Sequence, residues 1–221
     1  MTHHLEIVTP EPTPLAAFGA QASQHVTDLL ERSDIAVRTG VAPRAATDGA
    51  LLLADGGSVP ADRVVALPRS VGPRIPGLPA DAEGFVPVDE HGRVVGLEHV
   101  YAAGDVTAWP HKQGGLASQQ ADAAAETIAA WAGAPVQPAP FRPVLRGLLL
   151  TDDRPVFLRG QDVGSPDETS TASTSPLWWP AGKIAGRHLT AYLEARGGIA
   201  PPPGVRKLVA VIAARDREPR G

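Results

Sequence analysis

The chain has 221 residues, 43% hydrophobic and 20% charged, with a formal net charge of −4. This is the composition of a globular chain with room for a sizeable core, in one large domain or two small ones. It carries no basic field that would argue for nucleic acid. There is no cysteine, which excludes disulfides, thiolate metal sites, cysteine nucleophiles and dithiol redox chemistry within the chain. Redox activity would therefore need a bound cofactor. No apolar run reaches the length of a membrane span and the N-terminus lacks a signal-peptide pattern, so the expected location is cytoplasmic.

In chain order, Leu5–Thr9 reads as an apolar strand, Phe18–Arg32 as a helix with Val26, Leu29 and Leu30 on one face, and Ile35–Thr39 as a second strand. Leu51–Ala54 and Arg63–Leu67 read as two further strands, the last stopped by Pro68. Strand, helix and then several strands predict part of an α/β domain. A Pro- and Gly-rich connection follows at residues 68–84. Phe85–Asp89 and Arg93–Gly96 predict a hairpin around Glu90-His91-Gly92, with Gly92 at positive φ. Leu97–Ala103 reads as a strand running into Gly104-Asp105. Leu116–Trp131 reads as a helix with an apolar stripe of Ala117, Ala121, Ala124, Ile128 and Trp131.

Pro138, Pro140 and Pro143 mark a crossing to a second hairpin, Val144–Thr151 and Pro155–Arg159, turning at Asp152-Asp153. Gln161–Pro176 is polar and acidic and is not expected to order on its own. Trp178-Trp179-Pro180 precedes a helix over about 181–196, ended by Gly197-Gly198. Leu208–Ala214 is a short apolar run between basic residues, readable as a buried strand or an interfacial helix. Peripheral membrane contact is thus allowed and a membrane span is not. The histidines do not cluster at metal spacings, so no metal site is expected.

The chemistry concentrates at Gly104–Gly115. A strand that ends in Gly104 lets a ligand approach the backbone, and ligands of open α/β sheets sit beyond the carboxyl ends of strands. Asp105 accepts hydrogen bonds from hydroxyl groups, such as those of a ribityl chain. The next helix opens on His111-Lys112-Gln113-Gly114-Gly115, offering unpaired N–H groups and a partial positive charge. That end suits the electron-rich part of a flavin ring. Lys112 would add charge and Gln113 a donor. The other reading of these two residues is a solvated loop.

These motifs carry a resemblance. Arg63-Val-Val-Ala-Leu-Pro68, Ile75-Pro-Gly-Leu78, Gly84-Phe-Val-Pro-Val-Asp89, Val100-Tyr-Ala-Ala-Gly-Asp105, Lys112-Gln-Gly-Gly115 and Gln119-Gln-Ala-Asp122 occur in that order. Together they resemble the C-terminal half of FAD-dependent pyridine nucleotide-disulfide oxidoreductases, near the type II NADH dehydrogenase and sulfide:quinone reductase group. Leu177-Trp-Trp-Pro-Ala-Gly-Lys183 and Gly186-Arg187 resemble a C-terminal feature of that group.

The resemblance implies an α/β fold: a partial two-dinucleotide-binding (Rossmann-like FAD/NAD(P)) fold with an incomplete N-terminal half. Residues 1–67 would be the remainder of an NAD(P)-binding domain and 68–135 the C-terminal part of an FAD-binding domain. Residues 136–221 would hold the C-terminal hairpin, loop and helix. It implies FAD as cofactor and NAD(P)H as co-substrate, with Gly104, Asp105, Lys112, Gln113 and Gly114 at the flavin. Electrons would pass from a nicotinamide through FAD to a quinone-like acceptor. The flavin carries that chemistry, so no catalytic protein residue is named. Trp178 and Trp179 read either as anchors of a loop to the core, the preferred reading, or as acceptor-site residues, and Lys183, a cation at a helix start, reads as a candidate ligand of that site. Glu11, two residues beyond Thr9, reads as a loop carboxylate rather than a ribose ligand.

No G-x-G-x-x-G turn occurs in the sequence, so the expected pyrophosphate clamps are missing. That predicts exposed strand edges and apolar faces. It also predicts an N-terminal-half polypeptide or a homo-oligomer as partner. The alternative is an inactive remnant serving as an interaction module.

Overall fold

The structure is a computed structural model and describes residues 4–67, 69–151, 154–161, 170–178, 184 and 186–196. It divides into two units, one of residues 1–72 with 143–177, the other of residues 73–142 with 178–221.

The first unit opens with a βαβ element. Strand β1 (Leu5–Val8) leads into a 3₁₀ turn at Ala16–Phe18, helix α1 (Ala20–Arg32) and strand β2 (Ile35–Arg38). β1 and β2 pair in parallel, Leu5 opposite Ile35 and Val8 opposite Arg38. Parallel pairing needs a crossover, which α1 supplies. This two-stranded sheet leaves Leu5 55% and Ile7 37% exposed, the bare apolar face expected of an incomplete sheet. Glu6 and Arg38 pair at its surface, 3.0 Å apart.

A meander follows: β3 (Pro43–Thr47), β4 (Ala50–Leu53) and β5 (Ser58–Pro60), all antiparallel. The expected strand over Arg63–Leu67 does not form. Val65 is 82% and Leu67 94% exposed. β5 already occupies the edge beside β4, and after the bond from Ala61 N–H to the Gly49 carbonyl the chain finds no ladder partner among the described residues.

The third sheet comes from the later segment. β6 (Val144–Leu149) pairs antiparallel with β7 (Val156–Gln161), as the second hairpin predicts, and β7 pairs with β8 (Thr171–Ser173). β8 orders part of the segment read as unstructured; the turn Asp152-Asp153 and residues 162–169 lie outside the described residues. Alternation along β7 sends Val156 and Leu158 to one face. There they form a core with Ala22 and Val26 of α1, lined by Phe18, Leu30, Leu149 and Ala172. Ser170 Oγ accepts the Ala22 N–H at 2.8 Å, tying the start of α1 to the approach of β8.

Gly160 sits where a Cβ would meet the Phe18 Cα at 2.9 Å and its carbonyl oxygen at 3.0 Å. At Gly147 a Cβ would meet the rim of the Phe18 ring, at 3.1 Å, and then the Leu158 Cβ, at 3.4 Å. Backbone does not yield and a ring edge does. Gly160→Ala is therefore expected to destabilise the protein by about 1–3 kcal/mol and Gly147→Ala by less, as read from urea unfolding midpoints.

Among the described residues, the second unit is loop-rich around two α-helices. Its apolar core includes Phe85, Val86, Val94, Leu116, Ala123 and Ala124. The turn at 89–93 closes as expected, with Gly92 at φ +75° and Asp89 N–H bonded to the Arg93 carbonyl at 2.9 Å. Among the described residues, pairing here is by single bridges, Val86 with Thr107, Val88 with Val94 and Arg93 with Tyr101. Leu97–Ala103 is not a strand. His99 adopts φ +57°, a left-handed conformation that interrupts an extended run. Helix α2 (Gly114–Trp131) and helix α3 (Arg187–Ala195) complete the unit. No described helix is long and apolar enough to cross a membrane. The predicted cap Gly197-Gly198 and the apolar run Leu208–Ala214 lie outside the described residues.

Candidate functional site

The stripe proposed for α2 is corrected by the structure. Ala121 is exposed, Ile128 is 41% and Trp131 66% exposed, and Trp131 lies against His99 with ring centroids 4.5 Å apart. The buried face instead carries Ser118, Gln120, Asp122, Glu126 and Thr127 beside Leu116, Ala123 and Ala124. Buried polar groups require partners, and those partners assemble the site.

Gln120 faces the Gly-Asp turn. Its Oε1 accepts the Gly104 N–H at 2.7 Å, and its amide nitrogen donates to Thr107 Oγ1 at 3.3 Å. Thr107 is fully buried; its hydroxyl donates to the Gly104 carbonyl at 2.8 Å and its N–H to the same oxygen at 3.0 Å. Residues 104–106 thus close as a single 3₁₀ turn. Gly104 stands at φ +82°, and a Cβ there would approach the Ala117 Cβ to 3.2 Å. Only glycine satisfies both conditions without strain. The segment is fastened to the core by Val86, whose N–H donates to the Val106 carbonyl at 2.9 Å and whose carbonyl accepts Ala108 N–H at 2.8 Å.

The side chains singled out from sequence fall around this turn. The Asp105 carboxylate is exposed and makes no hydrogen bond among the described residues. Lys112 turns inward. Its ammonium donates to the Thr107 carbonyl and lies 3.7 Å from the Phe85 ring centroid. Burial holds its pKa below the usual lysine value, opposed in part by the negative charges of Asp105, Asp81 and Glu83. Gln113 occupies the position before α2 with extended backbone, and Gly114 starts the helix. The Gln113 side chain does not cap this end and no acid stands in its first turn; the leading N–H groups of a helix have no partner within it. The indole N–H of Trp109, in the same loop, is buried without a hydrogen-bond partner, while its ring meets Phe141 edge-on at 5.1 Å. Trp178 is half-buried in this unit; Lys183 lies outside the described residues. No group of His, Asp or Glu that would hold a metal occurs among the described residues.

The opposite end of the polar face holds α3. Asp122 accepts the N–H groups of both Arg187 and His188, the latter at 3.1 Å. A carboxylate there satisfies orphan donors and complements the helix dipole. Glu126, its side chain 5% exposed, accepts from His188 Nε2 at 3.0 Å, Arg187 Nη1 at 2.9 Å and Ala139 N–H at 3.1 Å. Burial by itself raises its pKa, but the bonds from His188 and Ala139 and the charge of Arg187 outweigh it and hold the carboxyl below its ordinary value. Sequence reasoning quoted Gln119–Asp122 and Gly186-Arg187 as motifs without joining them. The four-residue interval between Asp122 and Glu126 on an Ala-rich helix was the available signal.

The family model described as pyridine nucleotide-disulphide oxidoreductase matches residues 1–129. The chain belongs to this family, whose members are FAD-dependent and use NAD(P)H. No curated protein matches the sequence. Among solved structures, the sulfide:quinone oxidoreductase of Aquifex aeolicus is 18% identical with a TM-score of 0.59, over 92% of this chain and 53% of its own. LpdA from Mycobacterium tuberculosis is 17% identical with a TM-score of 0.55, over 72% of this chain and 35% of its own. The ferredoxin reductase for the CYP199A2 system from Rhodopseudomonas palustris is 20% identical with a TM-score of 0.51, over 71% of this chain and 41% of its own. These likenesses define the fold, that of FAD/NAD-binding oxidoreductases. The chain spans between about a third and about half of their length.

Two outcomes follow from the site's internal bonds. Gly104→Ala forces a side chain into a left-handed turn against Ala117; a loss of about 1–2 kcal/mol is expected in denaturant unfolding. For Glu126 the depressed pKa fixes the sign of a pH effect. Its ionised form is the one the fold stabilises, so its contribution is complete above the ordinary glutamate pKa and disappears as pH falls through the lowered folded value. Acid titration of the unfolding midpoint should therefore be flatter over that range in Glu126→Gln than in the parent chain.

Proposed function

We propose that this chain contributes to an FAD-dependent NAD(P)H oxidoreductase that passes electrons to a quinone-like acceptor, and that Gly104–Gly115 is its flavin-facing surface. The observation that carries the reading is the Gly104 turn. A backbone shelf without a Cβ, held by Gln120 and Thr107, is followed at once by an exposed carboxylate and an uncapped helix start. These groups suit a polyhydroxyl chain joined to a polar ring. Asp105 would accept hydroxyl hydrogens, and the leading N–H groups of α2 would meet electron-rich atoms. The buried, unpartnered Trp109 N–H supplies one more donor in the same loop. FAD, when bound, supplies the hydride and electron chemistry; the chain's own residues hold and orient it.

Lys112 serves in this reading by bracing the loop through Thr107 and Phe85. β1, α1 and β2 stand on the NAD(P) side. The sequence offers no Gly-rich pyrophosphate turn, so we infer that full affinity for FAD needs a further polypeptide or a second copy. Trp178 and Lys183 remain the candidates for the acceptor side. The family match over residues 1–129 favours an oxidoreductase over an inactive interaction module.

The test is a titration of the purified chain with FAD, alone and with an N-terminal-half polypeptide of the family. It is followed by visible absorbance and by NAD(P)H oxidation with a soluble quinone. Asp105→Ala is expected to weaken flavin binding by about tenfold, the equivalent of one charge-assisted hydrogen bond, with an unchanged unfolding midpoint. Absence of flavin binding under both conditions would overturn the proposal.

A further inference from the structure

Gln120 is buried, and its amide uses both ends: Oε1 accepts the Gly104 N–H at 2.7 Å and Nε2 donates to Thr107 Oγ1 at 3.3 Å. A hydroxyl has one proton to give. With the amide donating to Oγ1, that proton goes to the Gly104 carbonyl, 2.8 Å away. The Thr107 carbonyl in turn accepts the Lys112 ammonium, just ahead of α2. These bonds run through amide, hydroxyl and backbone carbonyl, with no carboxylate among them. A Cβ on Gly104 would touch Ala117, which shares a helix face with Gln120 three residues on. The turn therefore sits on α2 at one point and is bonded to it at the next. Gly114, where α2 starts, lies about 9 Å back along the helix axis from Gln120. One side chain thus registers the two groups that the flavin reading uses, the Asp105 carboxylate and the start of α2.

Resting on that reading, we propose that Gln120 is a positioning residue of the flavin-facing surface, and that the site requires its neutral amide in place of a carboxylate. A glutamate there would still accept the Gly104 N–H. Once ionised it has no proton for Thr107, so the threonine proton would turn to it and leave the Gly104 carbonyl. It would also set a second negative charge behind the turn that carries Asp105, in a buried place where charge is weakly screened. An anionic reduced flavin would feel that charge more than the neutral oxidised ring. When protonated, the same glutamate has one donor and one acceptor and reproduces the amide. Burial favours the protonated form, so a single variant offers both states.

The experiment is an FAD titration of the full chain, alone and with the N-terminal-half polypeptide, followed by the midpoint potential of the bound flavin. Both are measured at about pH 5 and about pH 8, either side of a carboxyl raised by burial. At the lower pH, Gln120→Glu should match the parent in affinity and potential. At the higher pH its reduced flavin should be held about tenfold more weakly relative to the oxidised form, a potential about 30 mV below the parent's. Thr107→Val breaks the same chain of bonds and adds no charge. It should weaken FAD binding about tenfold and leave the potential near the parent value. A parent-like potential in Gln120→Glu at both pH values would overturn the proposal. So would an equal fall of potential in Thr107→Val, or parent-like FAD affinity in that variant. A parent chain that binds no FAD in either condition sinks the flavin reading itself, and this inference with it, so the two failures are told apart.

Discussion

The hydrogen-bonded polar face of α2 is the constraint on which the second unit depends. A helix rich in alanine has few large apolar side chains with which to grip its surroundings. This one grips with buried oxygen atoms: Gln120 on the Gly104 turn, Asp122 on the start of α3, and Glu126 on His188, Arg187 and Ala139. Such groups have a single good arrangement, because an unmatched buried donor or acceptor is costly. The result is specificity of position, which a stripe of alanine methyls would not give.

That positioning connects fold to chemistry. The turn at Gly104 is shaped from outside, by an amide side chain one helix away and by a threonine three residues on. The exposed Asp105 is therefore held on a fixed backbone while its own side chain stays uncommitted. Lys112 is fastened beneath the same loop instead of projecting from it. Gln120 and Thr107 are satisfied by the turn they support, while the Asp105 carboxylate faces outward.

Much of the fold is legible in the sequence, and the failures have definite causes. β1, α1, β2, β4, α2 and the β6–β7 hairpin follow from periodicity and turn residues. β3 escapes because all five of its residues are exposed, so no alternation marks it. The segment at 63–67 has strand composition but no neighbour, and composition alone does not make a ladder. At 97–103 the left-handed His99 defeats an apolar run. On α2 the small side chains give a weak pattern, and the acids that would ordinarily mark a solvent face are the buried ones. At the candidate site, Gly104 and Asp105 stand out in the sequence by their own chemistry. Gln120 and Thr107 are not, because their roles arise from bonds to backbone atoms that only the folded chain brings near.

Helix α3 has nine residues, Arg187–Ala195, fewer than an isolated helix needs to persist in water. Its first two amides rest on a carboxylate 65 and 66 positions earlier in the chain. The start of the helix is thus tied to another helix. Helix α3 therefore draws part of its stability from α2. A loss of either Asp122 bond would thus be felt at both ends of the polar face, at α3 and at the helix that backs the Gly104 turn.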